Sequence, residues 1–176
     1  MTTPTQPATT PGAVRVRRAV DRDLPDVGEI TAAAYLSDGF VSGNQEYLTQ
    51  LRNAVARFTS AEVWVAVDVV TDEVLGSVTF CPIGSPYREI ARTDEEAEFR
   101  MLSVRPSARR RGCARLLVSR CLDRARELGH TRMVLCSDER MLSAQRLYGE
   151  LGFRRLPERD WSPVPGVSLW AFTLRL

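Results

Sequence analysis

Apolar and polar side chains alternate over residues 13–20, which predicts a first β-strand, since neighbouring side chains on a strand face opposite sides. The period then lengthens. Val27, Ile30, Ala34 and Tyr35 recur at helical spacing behind Asp23, predicting a helix with Asp23 as its N-cap. Ser42, Gly43, Asn44 and Gln45 have the S-x-x-Q form of a capping box. Behind them Leu48, Leu51, Val55 and Phe58 make the apolar stripe of a second helix. Residues 62–68 and 74–82 are strand-like runs joined by Thr71, Asp72 and Glu73, the pattern of a hairpin. Residues 84–96 are polar and irregular, a loop long enough to carry function, and a strand over 97–104 follows. Leu116, Leu117, Cys121, Leu122, Ala125 and Leu128 mark a helix that Gly129 ends. Residues 132–136 read as a short buried strand, and Leu147, Tyr148 and Leu151 as a helix ending before Gly152. Short strands over 153–156 and 168–174 close the chain, with a Pro-rich loop carrying Trp161 before the last.

The order β-α-α-β-β-β-α-β-α-β-β predicts a mixed α/β fold on one central sheet. Residues 1–12 are rich in Thr and Pro and have almost nothing to bury, so a disordered tail is expected before a single domain over 13–176. A length of 176 residues with 44% hydrophobic side chains suffices for one core.

Composition narrows the chemistry. All 24 basic residues are arginines, and the absence of lysine excludes a Schiff-base lysine or a P-loop lysine. His130 is the one histidine; a metal site is not expected, and its place just past Gly129 reads as surface. Cys81, Cys113, Cys121 and Cys136 lie in apolar stretches without C-x-x-C spacing, which suits buried small hydrophobes in a reducing, cytoplasmic setting. A net charge of +2 and the lack of any ~18-residue apolar run leave no reason to expect a nucleic-acid or membrane partner. No G-x-S-x-G occurs to suggest a hydrolase.

Residues 104–114, V-R-P-S-A-R-R-R-G-C-A, carry the most information. A strand ends at Val104, Pro106 stops it, and a helix starts near Gly112. Backbone N–H groups at a helix start are unpaired, and the macrodipole adds about half a positive charge there. Glycine in that turn and three arginines around it point to a phosphate or pyrophosphate held largely by main-chain donors.

Arg109, Arg110, Arg111, Gly112, Cys113 and Ala114 match the R/Q-x-x-G-x-G/A signature, and the segment resembles the GCN5-related N-acetyltransferases. Met101, Leu102, Ser103 and Val104 resemble that family's fourth strand. Ala144 with Leu147, Tyr148, Gly152 and Phe153 resembles its A-x-x-L-Y-x-x-x-G-F segment. The likeness is strong over residues 98–153 and architectural before them.

The resemblance implies a mostly antiparallel mixed sheet splayed between strands 4 and 5, flanked by about four helices. It implies that residues 109–114 bind the pyrophosphate of acetyl-CoA, the acyl donor, and that Met101–Val104 pair with its pantetheine arm like an added strand. Met141 stands where many members have Asn, and Ser143 is the residue there that can replace the amide's contact to the cofactor. The expected reaction is direct transfer of an acetyl group to a primary amine. A general base is needed because an alkylamine has a pKa of ~10.4. Glu98 is the candidate base by position, and Tyr148 resembles the family tyrosine that protonates the leaving thiolate. A main-chain N–H near Leu102 would polarise the carbonyl. Against this stand a solvated or arginine-paired Glu98 and a core Tyr148. A non-catalytic acyl-CoA-binding module on the same fold is the alternative reading. Trp161 is either a plug on the core or a wall of the acceptor pocket. Asp94, Glu95 and Glu96 read as a solvated cluster or as a lure for a cationic amine. The acceptor, the acyl-chain preference and the choice between monomer and homodimer stay open.

Overall fold

Val63, Val65 and Val67 of strand β2 (Glu62–Asp68) bury into one hydrophobic cluster, whereas Trp64 and Ala66 bury into another. Successive side chains of a strand face opposite ways, so β2 needs cover on both faces. The computed structural model, which describes residues 12–37 and 45–176, supplies that cover. On one face lie α4 (Cys113–Glu127) and α5 (Leu142–Glu150), bringing Leu117, Cys121 and Tyr148 into a core with Phe80, Phe99 and Phe172. On the other lie α1 (Leu24–Ser37) and α3 (Ala54–Ser60), with Val27 and Ile30 against the three valines. A smaller cluster joins Ala32 to Leu48 and Leu51 of α2 (Gln45–Arg52).

Among the described residues the sheet has seven strands in the order β1-β2-β3-β4-β5-β7-β6. The remaining strands are β1 (Val14–Arg18), β3 (Val74–Cys81), β4 (Glu96–Val104), β5 (Arg132–Asp138), β6 (Arg154–Arg155) and β7 (Leu169–Arg175). Every neighbouring pair is antiparallel except β4 and β5, which run parallel. That pair is short: Glu96, Ala97 and Glu98 face Arg132, Met133 and Val134, and no later residue of β4 pairs with β5. The expected splay between strands 4 and 5 is therefore present. On its other edge β4 carries a bulge. Ser77 faces Ser103 and Thr79 faces Arg100, so two residues of β4 oppose Val78, and Met101 takes a left-handed φ of 54°.

Several expectations need correction. The second predicted helix is two helices, because the Asn53 side chain accepts from Ala56 N–H at 3.1 Å and caps a new start. The break turns Val55 out to solvent, off the apolar stripe. Among the described residues this makes five α-helices, in line with the about four expected plus this one division. Asp23 is not the N-cap of α1. It closes a 3-10 turn (Asp21–Asp23), is buried, and accepts from Val20 N–H at 2.8 Å while pairing with Arg17 at 2.6 Å. His130 is buried rather than on the surface, its Nδ1–H donating to the Asp94 carbonyl at 2.9 Å. Residues 1–11 of the expected tail, and Ser42, Gly43 and Asn44 of the capping box, lie outside the described residues.

Leu117 is fully buried between α4 and the sheet. Leu117→Ala should cost about 2–5 kcal/mol, read as a lowered urea midpoint with an unchanged slope. A loss below about 1 kcal/mol would mean α4 is loosely packed on β3 and β4.

Candidate active site

β4 and β5 are parallel, and each is followed by a helix, so α4 and α5 both begin at the same end of the sheet, beyond the carboxyl ends of the parted strands. That crevice is where open α/β sheets hold ligands. At α4, Gly112 is the N-cap with φ 81°, a left-handed value that a glycine adopts without strain. Arg110 also takes a left-handed φ, 65°. The first helical bond runs from Leu116 N–H to Gly112 O at 3.0 Å. The first-turn N–H groups of Cys113, Ala114 and Arg115 thus have no carbonyl within the helix. A Cβ built on Gly112 would meet nothing within 4 Å, so the turn opens onto free space.

The three consecutive arginines divide their work. Arg111 is turned inward, donating to Asp68 Oδ2 at 2.8 Å and to the Gly12 carbonyl at 2.6 Å. It ties the turn to the start of the described chain. Arg109 and Arg110 are exposed. Cys113 is buried, its thiol on the Ala108 carbonyl and its pKa pushed up by burial, so it packs rather than reacts. Arg115 pairs with Glu150, joining the start of α4 to the end of α5.

On β4, Met101 and Ser103 are buried, while Leu102 and Val104 are partly buried. The bulge is braced from beneath by hydroxyls. Ser103 Oγ lies 3.2 Å from Ser77 Oγ and 3.3 Å from Thr31 Oγ, which donates to the Val27 carbonyl at 2.7 Å. Arg57, buried nearby, donates to Leu51 O at 2.7 Å and reaches Thr31 Oγ at 3.4 Å. This network was not foreseen, because its members meet across 26 to 72 positions of sequence. Ser143 is exposed in the first turn of α5.

A cavity of about 390 Å³ opens in the cleft, within the range of small-molecule sites. β4 lends Glu98, Arg100 and Met101 to its lining, the end of β5 lends Cys136 and Asp138, and α1 and α2 lend Tyr35 and Tyr47. Trp161 lines it too and is 36% exposed, which favours a pocket wall over a core plug.

Glu98 is only 1% exposed, and its carboxylate gathers backbone N–H groups: Glu89 at 3.0 and 3.1 Å, Ile90 at 3.0 Å and Ala91 at 3.0 Å. A carboxylate offers about four lone-pair sites; here Oε2 takes all three donors, and Oε1 only shares the Glu89 N–H. Tyr148 is 4% exposed, its ring 6.1 Å from Phe99, 5.7 Å from Phe153 and 5.9 Å from Phe172. Burial, with Cys121 adding to it, pushes its phenol up, so it keeps its proton at neutral pH.

The loop beside Glu98 and strand β4 bring together two charges that sequence reasoning missed as a pair. Glu89 and Arg100 meet at 2.8 Å on the cavity wall. Arg100 carries a signal, the one cation in a largely buried strand that also holds Glu96 and Glu98; Glu89 carries none, since nothing local distinguishes one loop carboxylate from another. Asp138 and Arg140 form a second pair at 2.7 Å.

Glu96 is neither solvated nor in the loop. It opens β4, is 5% exposed, and pairs with Arg159 at 2.8 Å while accepting from Arg92 N–H at 2.7 Å. Burial alone would raise its pKa, but Arg159 and the backbone donors prevail and hold it below the usual carboxylate range. A depressed folded pKa gives stability that is present above the unfolded value and lost as pH falls through the folded one. Stability should therefore drop on acidification below about pH 4.5. Glu96→Gln should be less stable at pH 7 and show a shallower loss in chemical unfolding at stepped pH. An equally steep acid limb in the variant would rule out this pair as a source of it.

The chain matches the Acetyltransferase (GNAT) family over residues 26–153 and belongs to that family. It is 32% identical over 93 residues to an uncharacterised N-acetyltransferase of Schizosaccharomyces pombe, a match covering 53% of this chain and 52% of that one. The match thus spans about half the length of that relative. A GCN5-related N-acetyltransferase from Kribbella flavida superposes with a TM-score of 0.69 at 26% identity, covering 93% of this chain and 98% of the other. YncA of Salmonella typhimurium, a putative acetyltransferase solved with acetyl-CoA, superposes at 0.66 with 23% identity, covering 94% and 95%. The described residues, with one parallel strand pair and five α-helices, share the fold of these two solved structures.

Proposed function

We propose that this protein moves an acetyl group from acetyl-CoA to a primary amine by direct attack. The observation that carries the reading is the left-handed Arg110–Gly112 turn, which opens the first turn of α4 at the end of the parted β4. Its free N–H groups and the arginine-rich turn suit a pyrophosphate. Arg109, Arg110, Gly112, Cys113 and Ala114 would hold it through main chain and charge, with Arg111 bracing the turn against Asp68. Residues 101–104 lie beyond the last β4–β5 pair and have main-chain groups for an amide-bearing arm. Ser143, exposed at the start of α5, supplies a hydroxyl at the same end of the sheet.

In the transfer a nitrogen–carbon bond forms, the carbon–sulfur bond breaks, one proton leaves the nitrogen and one reaches the sulfur. Tyr148, buried and protonated, serves as proton donor to the sulfur. Glu98 lines the cavity; its Oε2 positions the loop through residues 89–91, while Oε1, which only shares the Glu89 N–H, keeps capacity to draw the amine's proton by way of a water. The amine's proton then leaves through water. No covalent enzyme intermediate is needed, in keeping with the buried, unactivated thiols of Cys81, Cys113 and Cys121.

Calorimetric titration with acetyl-CoA tests the site. The wild type should bind, and Gly112→Asp, which adds a carboxylate and a strained φ to the turn, should not; equal binding by the variant would remove the turn from the site. Tyr148→Phe should keep acetyl-CoA affinity and lower turnover by about 100-fold, followed by thiol release. Unchanged turnover would exclude Tyr148 as the acid. Binding without turnover of any amine would favour a non-catalytic module.

A further inference from the structure

Arg100 has more donors than the protein uses. A guanidinium offers five N–H groups in a planar fork. Arg100 faces Glu89 at 2.8 Å and gives one bond, at 3.3 Å, to the Tyr87 carbonyl; among the described residues it makes no other hydrogen bond. Glu89 likewise accepts from no backbone N–H among the described residues, in contrast to Glu98 and Glu96 in the same region. Both groups line the cavity, with side chains 19% and 29% exposed, so they are largely desolvated without being sealed in. Ion pairs that serve only to hold a fold are usually completed by further donors and acceptors, as Glu96 and Arg159 are here by Arg92 N–H and the Ile90 carbonyl. The Glu89–Arg100 pair is left open on the side of the cavity.

An open pair of opposite charges is matched by a ligand that carries the complementary pair. A monoamine would satisfy Glu89 and leave Arg100 partly desolvated with nothing gained. An acceptor bearing both an ammonium and a carboxylate closes a ring of four alternating charges, and Arg can take the carboxylate in two parallel bonds. Tyr35, Tyr47, Met101, Trp161 and Val164 form an aromatic and apolar part of the wall, and Glu98, Asp138 and Arg140 line it as well. Accepting the acetyl-transfer reading above, we propose that the acceptor is a small zwitterion, an α-amino acid with an apolar side chain, its carboxylate held by Arg100 and its amino group by Glu89.

The test is thiol release from acetyl-CoA with apolar L-α-amino acids and with the primary amides of the same compounds, which keep the amine and lose the negative charge. With wild-type protein the acids should be the better substrates, by about 30-fold in kcat/KM. Arg100→Gln should erase that preference through KM for the acids, leaving the amides nearly unchanged, and Arg100→Lys should restore part of it. Equal use of acids and amides by the wild type overturns the proposal without recourse to any variant. So does turnover of carboxylate-free monoamines alone, or an Arg100→Gln loss shared equally by both series. Calorimetry with acetyl-CoA on the same preparations separates the two levels. A wild type that binds acetyl-CoA but ignores amino acids defeats this inference alone, whereas one that does not bind acetyl-CoA defeats the acetyltransferase reading beneath it.

Discussion

Two parallel strands that pair for three residues and then part are the constraint from which the rest of the molecule follows. Buried backbone polar groups need partners. Beyond Glu98, β4 keeps β3 on one edge and loses a strand on the other, so its main chain is left with hydrogen-bonding capacity in a crevice. The opening is held by the surrounding structure. The bulge at Met101 bends the strand, and the hydroxyls of Ser77, Ser103 and Thr31 pin the bend to α1. Because the parted strands run the same way, two helix starts converge on the opening, and Arg115 with Glu150 links their helices across it.

Carboxylates play the complementary part. Glu98 collects the backbone N–H groups of three consecutive loop residues, and Glu96 collects Arg92 N–H and the Arg159 fork. A loop of this length would ordinarily be mobile. Here two buried anions from one strand fix its course, and with it the placement of Glu89 against Arg100. The rigidity of the cavity wall is thus set by β4, the same strand that forms the crevice.

The sequence made the fold and the turn at residues 109–114 legible because both are written locally. Strand alternation, the helical stripe of α4 and the glycine at its start each lie within a dozen residues. The polar interior was illegible for the opposite reason. Glu98 could be picked out by its position, but its partners are backbone N–H groups of residues 89–91, which have no side-chain signature. His130 looks like a helix-end surface residue until Asp94, 36 positions earlier, is folded against it. Asn53 hid inside a continuous apolar stripe, since a cap depends on one side-chain bond that periodicity does not register. Arg100 was not singled out in the sequence, because its partner Glu89 comes from a loop that only the fold brings against it.

Arginine at position 100 has one more consequence. On the acetyl-transfer reading proposed above, a lysine there would be a primary amine on the wall of the acceptor cavity, and each loss of its proton would make it a nucleophile. A guanidinium stays protonated at any physiological pH. It can carry positive charge into the cavity without competing for the acyl group. Across a chain whose cationic side chains are all arginines, no side chain offers an acyl donor a rival amine, so on that reading the protein is guarded against N-acylating its own side chains.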